Sequence, residues 1–224
     1  LRLTGSDKKV GAAGLVRGPY LQVGTPTSMV VRWRTQIPSI SLVRYGAAPG
    51  ALKSKAEGQE RTTEHEIRLT GLKPRTKYYY SVGDGENVLA GGDARHFFIT
   101  SPKPGCDGPI HAWIIGDSGT ANANARAVYD AYLKQKDGRY TDLWLMLGDN
   151  AYGSGTDKEY QRAVFDLYEN LLPQTPLWST RGNHERSAEV YYGIFTMPDQ
   201  AQAGGLKSGT EAYYSFDYGN VHFI

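Results

Sequence analysis

The stretch LWLMLGDNAY, residues 143–152, changes character at Gly148: five apolar residues give way to glycine and a polar run. A short apolar run of this length, closed by a turn residue, has the signature of a buried strand. The same change occurs twice more. Residues 110–115, IHAWII, run into GDSG at 116–119, and residues 176–180, PLWST, run into RGNHE at 181–185. Between these strands lie two segments with helical spacing of apolar residues. Residues 121–135 carry Ala127/Val128, Ala131/Tyr132 and Leu133, and residues 157–172 carry Tyr160, Val164, Leu167, Tyr168 and Leu171 on one stripe. Such alternation predicts parallel strands joined by right-handed crossovers.

The first hundred residues follow a different pattern. Residues 29–34 and 42–45 are rich in β-branched and aromatic residues, and Glu66-Ile67-Arg68-Leu69 alternates with period two. Turn signals separate them at Thr25-Pro26-Thr27, Ala48-Pro49-Gly50 and Gly83-Asp84-Gly85. No helical pattern of convincing length interrupts them, so an all-β sandwich is expected. The Pro/Gly-dense stretch at 102–109 separates the two patterns and reads as a linker.

Bulk composition excludes some classes and selects none. A hydrophobic content of 40% and a charged content of 21% are ordinary for a globular chain. A net charge of +2 supplies no field to steer nucleic acid or an anionic membrane, and no apolar run approaches the roughly 20 residues of a bilayer span. The single cysteine, Cys106, forbids an internal disulfide and reads as an incidental thiol. The first residues have neither initiator methionine nor apolar signal core. A trimmed chain, compatible with a secreted or periplasmic protein, is the expectation.

Each polar motif follows the carboxyl end of an expected strand, the edge where open α/β sheets bind ligands. Asp117, Asp149, Asn183 and His184 are therefore expected to converge, with a glycine (Gly116, Gly148, Gly182) before each to permit a sharp exit. Two carboxylates, a carboxamide, an imidazole and the Tyr152 phenol are costly to gather without compensation. A metal cation provides it. Carboxylate and carboxamide oxygens suit hard ions, imidazole nitrogen suits Fe, Zn or Mn, and a carboxylate can bridge a pair of ions that clamps a phosphoryl group.

GDSG, GDNAY and GNHE resemble the Gly-Asp-x-Gly, Gly-Asp-x-x-Tyr and Gly-Asn-His-Glu/Asp blocks of the metallophosphoesterases, and the tyrosine of the second block resembles the mark of the purple acid phosphatases. LTGLKPRTKYYY at 69–80, with Leu72, Pro74, Thr76 and Tyr78, resembles the turn before strand F of fibronectin III-like domains, where a tyrosine hydroxyl bonds back to backbone. Stretches 17–35 and 213–224 look like the phosphatase family too. The implied architecture is an N-terminal extension at 1–16, a fibronectin III-like sandwich at 17–101, the linker, and at 110–224 the first part of an α/β metallophosphoesterase sandwich.

The resemblance implies that Asp117 ligates a first, ferric ion, that Asp149 bridges two ions, and that Tyr152 binds the first through its phenolate. Asn183 would ligate a second, divalent ion (Fe, Zn or Mn), and His184 would face the substrate without binding metal. The implied reaction is hydrolysis of a small-molecule phosphate monoester by hydroxide on the metal pair, an acid phosphatase. The family's further Val-x-x-His and Gly-His-x-His blocks are not in this sequence, so three histidine ligands are expected to be missing and the 224-residue chain nearly inactive. His65, His96, His111 and His222 are read as structural. Phosphodiester or nucleotide hydrolysis by the same superfamily, and a non-catalytic binding module, remain open alternatives.

Overall fold

The computed structural model describes residues 12–224. Of the expected N-terminal extension, residues 1–11 lie outside the described residues, while Leu15 and Val16 already belong to the first strand. Among the described residues, six antiparallel strands form the N-terminal domain: β1 (Leu15–Gln22), β2 (Met29–Gly46), β3 (Ser54–Leu69), β4 (Lys77–Gly83), β5 (Val88–Gly91) and β6 (Phe97–Ile99). β3 pairs along nearly all of β2. The opposite edge of β2 is shared, its first half pairing with β1 and its second half with β4. Register shifts between Arg34 and Ser39 and between Ile40 and Leu42 mark where the long β2–β3 ribbon changes course.

The period-two alternation of β2 decides what each face does. Val31 and Trp33 enter the β-domain core with Leu21, Val43, Leu69, Tyr80 and Phe98. Each fully buried valine contributes on the order of 1.5–3 kcal/mol. Val30, Arg32 and Arg34, on the other face, meet the second domain. The expected corner is present: the Tyr78 hydroxyl accepts the backbone N–H of Lys73 at 2.9 Å. His65, fully buried, stacks on Trp33 with ring centroids 4.6 Å apart.

The 102–109 stretch has no strand or helix, yet it is tied down. Gly105 N–H bonds to Gly219 O, and Arg75 and the Asn220 carboxamide both reach Asp107.

Three parallel strands follow in sequential order: β7 (Ala112–Ile115), β8 (Leu143–Leu147) and β9 (Leu177–Thr180). α1 (Ala123–Lys136) joins the first two, and Asn122 caps it by accepting Ala125 N–H. Its buried face is Ala125 and Tyr129, with Tyr132 alongside. Val128 and Leu133, expected inside, are exposed, because the Trp113 ring draws Tyr129 and Tyr132 against it in stacked contacts.

The second helix starts as expected. α2 (Asp157–Tyr160) opens with a Thr156–Glu159 capping box. It then widens into a π-helical segment, Gln161–Asp166, and ends in turns. Tyr160, Val164, Leu167, Tyr168 and Leu171 are all buried, as the stripe predicts, but so are Ala163 and Phe165. Three consecutive buried residues do not fit one stripe of a regular α-helix, and the wider winding accommodates them.

α3 (Ala188–Ile194), too short to announce itself by periodicity, starts at Ser187, which accepts Val190 N–H. The hairpin of β10 (Phe216–Tyr218) and β11 (Val221–Phe223) lies on the remaining sheet face, where Phe216 stacks on Trp178 at 3.7 Å. That face is only partly covered: Ile114 and Leu147 stay 55% and 56% exposed. His111 precedes β7 rather than lying within it.

Candidate metal centre

Backbone bonds zip the loops after β7 and β8 together. Asp117 N–H bonds to Gly148 O at 3.1 Å, Gly119 N–H to Asp149 O at 2.9 Å, and Tyr152 N–H to Gly119 O at 3.0 Å. Gly119 permits that approach, since a Cβ there would meet Ala151 N at 2.4 Å. Asp117 and Asp149 themselves take the left-handed conformation, with φ of 52° and 51°. The sharp exits are therefore made by the aspartates, aided at the second loop by Gly148 at φ 92°. Gly116 has no such role, because a Cβ there would make only ordinary contact with Leu147.

The result is an oxygen cluster. The Tyr152 hydroxyl lies 3.1 Å from Asp117 Oδ1 and 3.4 Å from Asp149 Oδ2. Desolvation first, then the hydrogen bonds to and charges of Asp117 and Asp149, push the phenol up to about 12. Without a cation the phenol keeps its proton and shares it between two carboxylates.

The loop after β9 closes on the same point. His184 N–H donates to Asp149 Oδ1 at 3.0 Å, and the His184 ring stands edge-on to Tyr152 with centroids 4.5 Å apart. His184 Nδ1 lies 3.0 Å from the carbonyl of Gly153. A carbonyl only accepts, so Nδ1 carries the proton and Nε2 is left for another partner. Asn183 sits exposed at the loop tip, one residue from both Gly182 and His184. A Cβ on Gly182 would fall 2.1 Å from Asp149 Oδ1, which explains a glycine there by close approach.

Two residues of these motifs had no role assigned from sequence. Glu185, 1% exposed, places Oε2 on the backbone N–H groups of Asp149 and Gly182 and Oε1 on those of Asn150 and Ala151. One carboxylate thus gathers four donors from two loops. Asn150, fully buried, ties its loop to β9 by donating to Thr180 O at 2.8 Å. A charged residue ending a polar motif was the only signal for Glu185, and sequence distance hid its partners.

The other histidines are held in the scaffold. His65 bonds Thr35 and Ser41, His96 pairs with Asp93, His111 with Asp142, and His222 with Asp217 across the β10–β11 hairpin.

Two family models cover most of the chain. One described as Purple acid Phosphatase, N-terminal domain matches residues 16–100, and one described as Calcineurin-like phosphoesterase matches residues 110–222. The chain belongs to the calcineurin-like phosphoesterase family, and its N-terminal domain is of the purple acid phosphatase type. Among its relatives, human Acid phosphatase type 7 is 29% identical over 216 residues, covering 90% of this chain and 46% of that protein. Purple acid phosphatase 15 of Arabidopsis thaliana is 27% identical over 194 residues, covering 71% and 34% respectively. The chain thus spans about half the length, or less, of these curated relatives. A solved structure titled Structure of PhoD superposes with a TM-score of 0.65 at 15% identity over 94% of this chain and 51% of its own. That likeness is one of fold. It extends across both domains of the chain.

Proposed function

We propose that the protein is an acid phosphatase for small-molecule phosphate monoesters, built around a dinuclear Fe(III)–M(II) centre in which M is Fe, Zn or Mn. The observation that carries this reading is the Tyr152 hydroxyl within hydrogen-bond reach of both Asp117 and Asp149. Two carboxylates and a phenol around one point form an all-oxygen set suited to a hard, highly charged ion. Asp117, Asp149 and Tyr152 would hold the ferric ion, with Asp149 and Asn183 serving the second. Among the described residues no group of three or more His, Cys, Asp and Glu side chains completes a nitrogen-bearing shell. Metal retention by these residues alone is accordingly weak. When bound, the pair supplies Lewis acidity toward the phosphoryl group and a lowered pKa for water.

The chain's own groups do the rest. Glu185 holds Asp149 and Gly182 in register, so that one loop presents the Asp149 carboxylate and the other presents Asn183 and His184. With Nδ1 committed to Gly153 O, the His184 ring is oriented so that Nε2 addresses the substrate. In its protonated form it donates to a phosphoryl oxygen, or passes a proton to the leaving alkoxide.

The test combines metal analysis with spectroscopy. A chain that also carries the Val-x-x-His and Gly-His-x-His blocks is expected, once loaded with iron, to show a visible phenolate-to-iron band that disappears in Tyr152→Phe, and to cleave p-nitrophenyl phosphate faster than its bis-ester. Absence of stoichiometric iron in that longer chain, or a band unaffected by Tyr152→Phe, would refute the centre. Preference for the bis-ester would move the assignment to a phosphodiesterase.

A further inference from the structure

The surface of the β domain that meets the α/β domain is unusually charged. Arg17 of β1 and Arg34 of β2 both reach Asp157, the first residue of α2, at 2.9 Å and 2.7 Å. Arg17 is 2% exposed, donates also to Gln161, and lies over the Phe165 ring at 4.5 Å. Half-burial pushes the Asp157 carboxyl up, but the hydrogen bonds and charges of the two arginines outweigh it and hold the group below the usual carboxylate range. Burying a guanidinium to this degree is costly unless it is paired, and a plain apolar contact would serve adhesion as well. The location of the pairing therefore matters.

It lies at the start of the helix that follows the GDNAY loop. Within the first turn started by Asp157, Glu159 turns back to accept the N–H groups of Gly153 at 2.7 Å, Ser154 at 3.2 Å and Thr156 at 2.9 Å. Gly153 follows Tyr152 in the chain, and its carbonyl fixes His184 Nδ1. Ser154 O in turn accepts Arg186 N–H, joining this loop to the one that carries Asn183 and His184. A second grip falls on the far side of that loop. Arg32 bonds Gly193 O and Thr196 Oγ1, Tyr20 bonds Ile194 O, and Gln22 accepts Thr196 N–H, all at the end of α3. The β domain thus holds the segments that follow both the GDNAY and the GNHE loops.

We propose that the N-terminal β domain is a positioning part of the site: Arg17 and Arg34, acting through Asp157 and Glu159, hold the 153–156 loop that fixes Tyr152 and the His184 ring. This rests on the reading that Tyr152 and His184 serve the site, but the coupling can be measured without turnover.

Asp157→Asn is the primary variant, because the Asp157 carboxylate is 44% exposed and the change keeps side-chain size. Amide hydrogen exchange at Gly153 and Ser154 is expected to rise about tenfold or more, with β2–β3 ladder amides unchanged. Arg34→Gln, whose side chain is 30% exposed, is expected to act in the same direction, and the double variant to be no worse than Asp157→Asn alone. Glu159→Gln serves as the local comparison and is expected to reproduce the rise from inside the α/β domain. In Asp157→Asn the Tyr152 and His184 aromatic resonances are expected to shift, as the 4.5 Å edge-on contact relaxes. Unchanged exchange at Gly153 and Ser154, or an equal rise throughout the β2–β3 ladder, would overturn the proposal and reduce the contact to adhesion. If exchange rises as expected while a chain that also carries the Val-x-x-His and Gly-His-x-His blocks neither binds iron nor cleaves esters, the positioning claim stands and the phosphatase reading falls.

Discussion

The carboxylate of Glu185 accepts the backbone N–H of Asp149 at 3.0 Å, across 36 residues of sequence, with no solvent between them. Its second oxygen takes Asn150 and Ala151, so the conformation of the GDNAY loop is read by a side chain from another loop. Glu185→Gln halves the acceptor capacity and points an NH2 at N–H donors. A loss of about 2–5 kcal/mol in urea unfolding is expected, since two buried donors lose their partner. A loss below half a kcal/mol would show that the loops hold without it.

Glycines at equivalent motif positions are not equivalent. Gly182→Ala drives a methyl into Asp149 and is expected to cost about 2–4 kcal/mol and to abolish iron binding. Gly116→Ala meets only Leu147 at 3.6 Å, and stability within about 0.5 kcal/mol of the parent is expected. Thermal melts of the two variants side by side check both statements.

The corner tyrosine offers a cleaner single-bond test. Tyr78→Phe removes the acceptor for Lys73 N–H but keeps the ring on Phe98, at 5.6 Å between centroids. A destabilisation of about 1 kcal/mol is expected, with Tyr79→Phe as a neutral comparison. Equal effects of the two variants would remove the corner from the account.

Acid lowers stability through His65. Burial holds its imidazole down at about 4 in the folded state, against an ordinary value of 6.5. The unfolded chain therefore binds the proton first as pH falls. Stability is full above pH 6.5, declines by about 2–4 kcal/mol between there and pH 4, and changes no further from this group below that. Glu159 adds a second, smaller loss. Its backbone hydrogen bonds hold its carboxyl at about 2, so its contribution is present above the usual carboxylate range and disappears as pH falls toward 2. Urea midpoints at pH 7, 5.5 and 4 are expected to descend in the parent and to flatten in His65→Gln. For a protein proposed to work in acid, this histidine is a liability that the fold tolerates.

Much of the molecule was legible because its signals are local. The β-branched, aromatic-rich run at residues 29–34 announced one strand, and the apolar run at residues 143–147 announced another. Since parallel strands end at one edge, Asp117, Asp149, Tyr152 and His184 were brought together by topology alone, and the structure places them within hydrogen-bond or ring contact. Helical periodicity was less informative in α1, where the buried side is set by a tryptophan on β7 rather than by the most apolar stripe.

By itself, then, the sequence determined where strands end, which loops carry oxygen donors, and which tyrosine turns the β-domain corner, because each of these depends on neighbours within a few residues. Only the tertiary structure decided that Glu185 gathers four N–H groups, that residues 161–166 unwind into a π-helix, and that Arg17 and Arg34 reach across 140 and 123 residues to Asp157. Those outcomes depend on a buried charge finding donors, and on crowded side chains finding volume. Neither condition exists until distant segments pack and water is excluded between them.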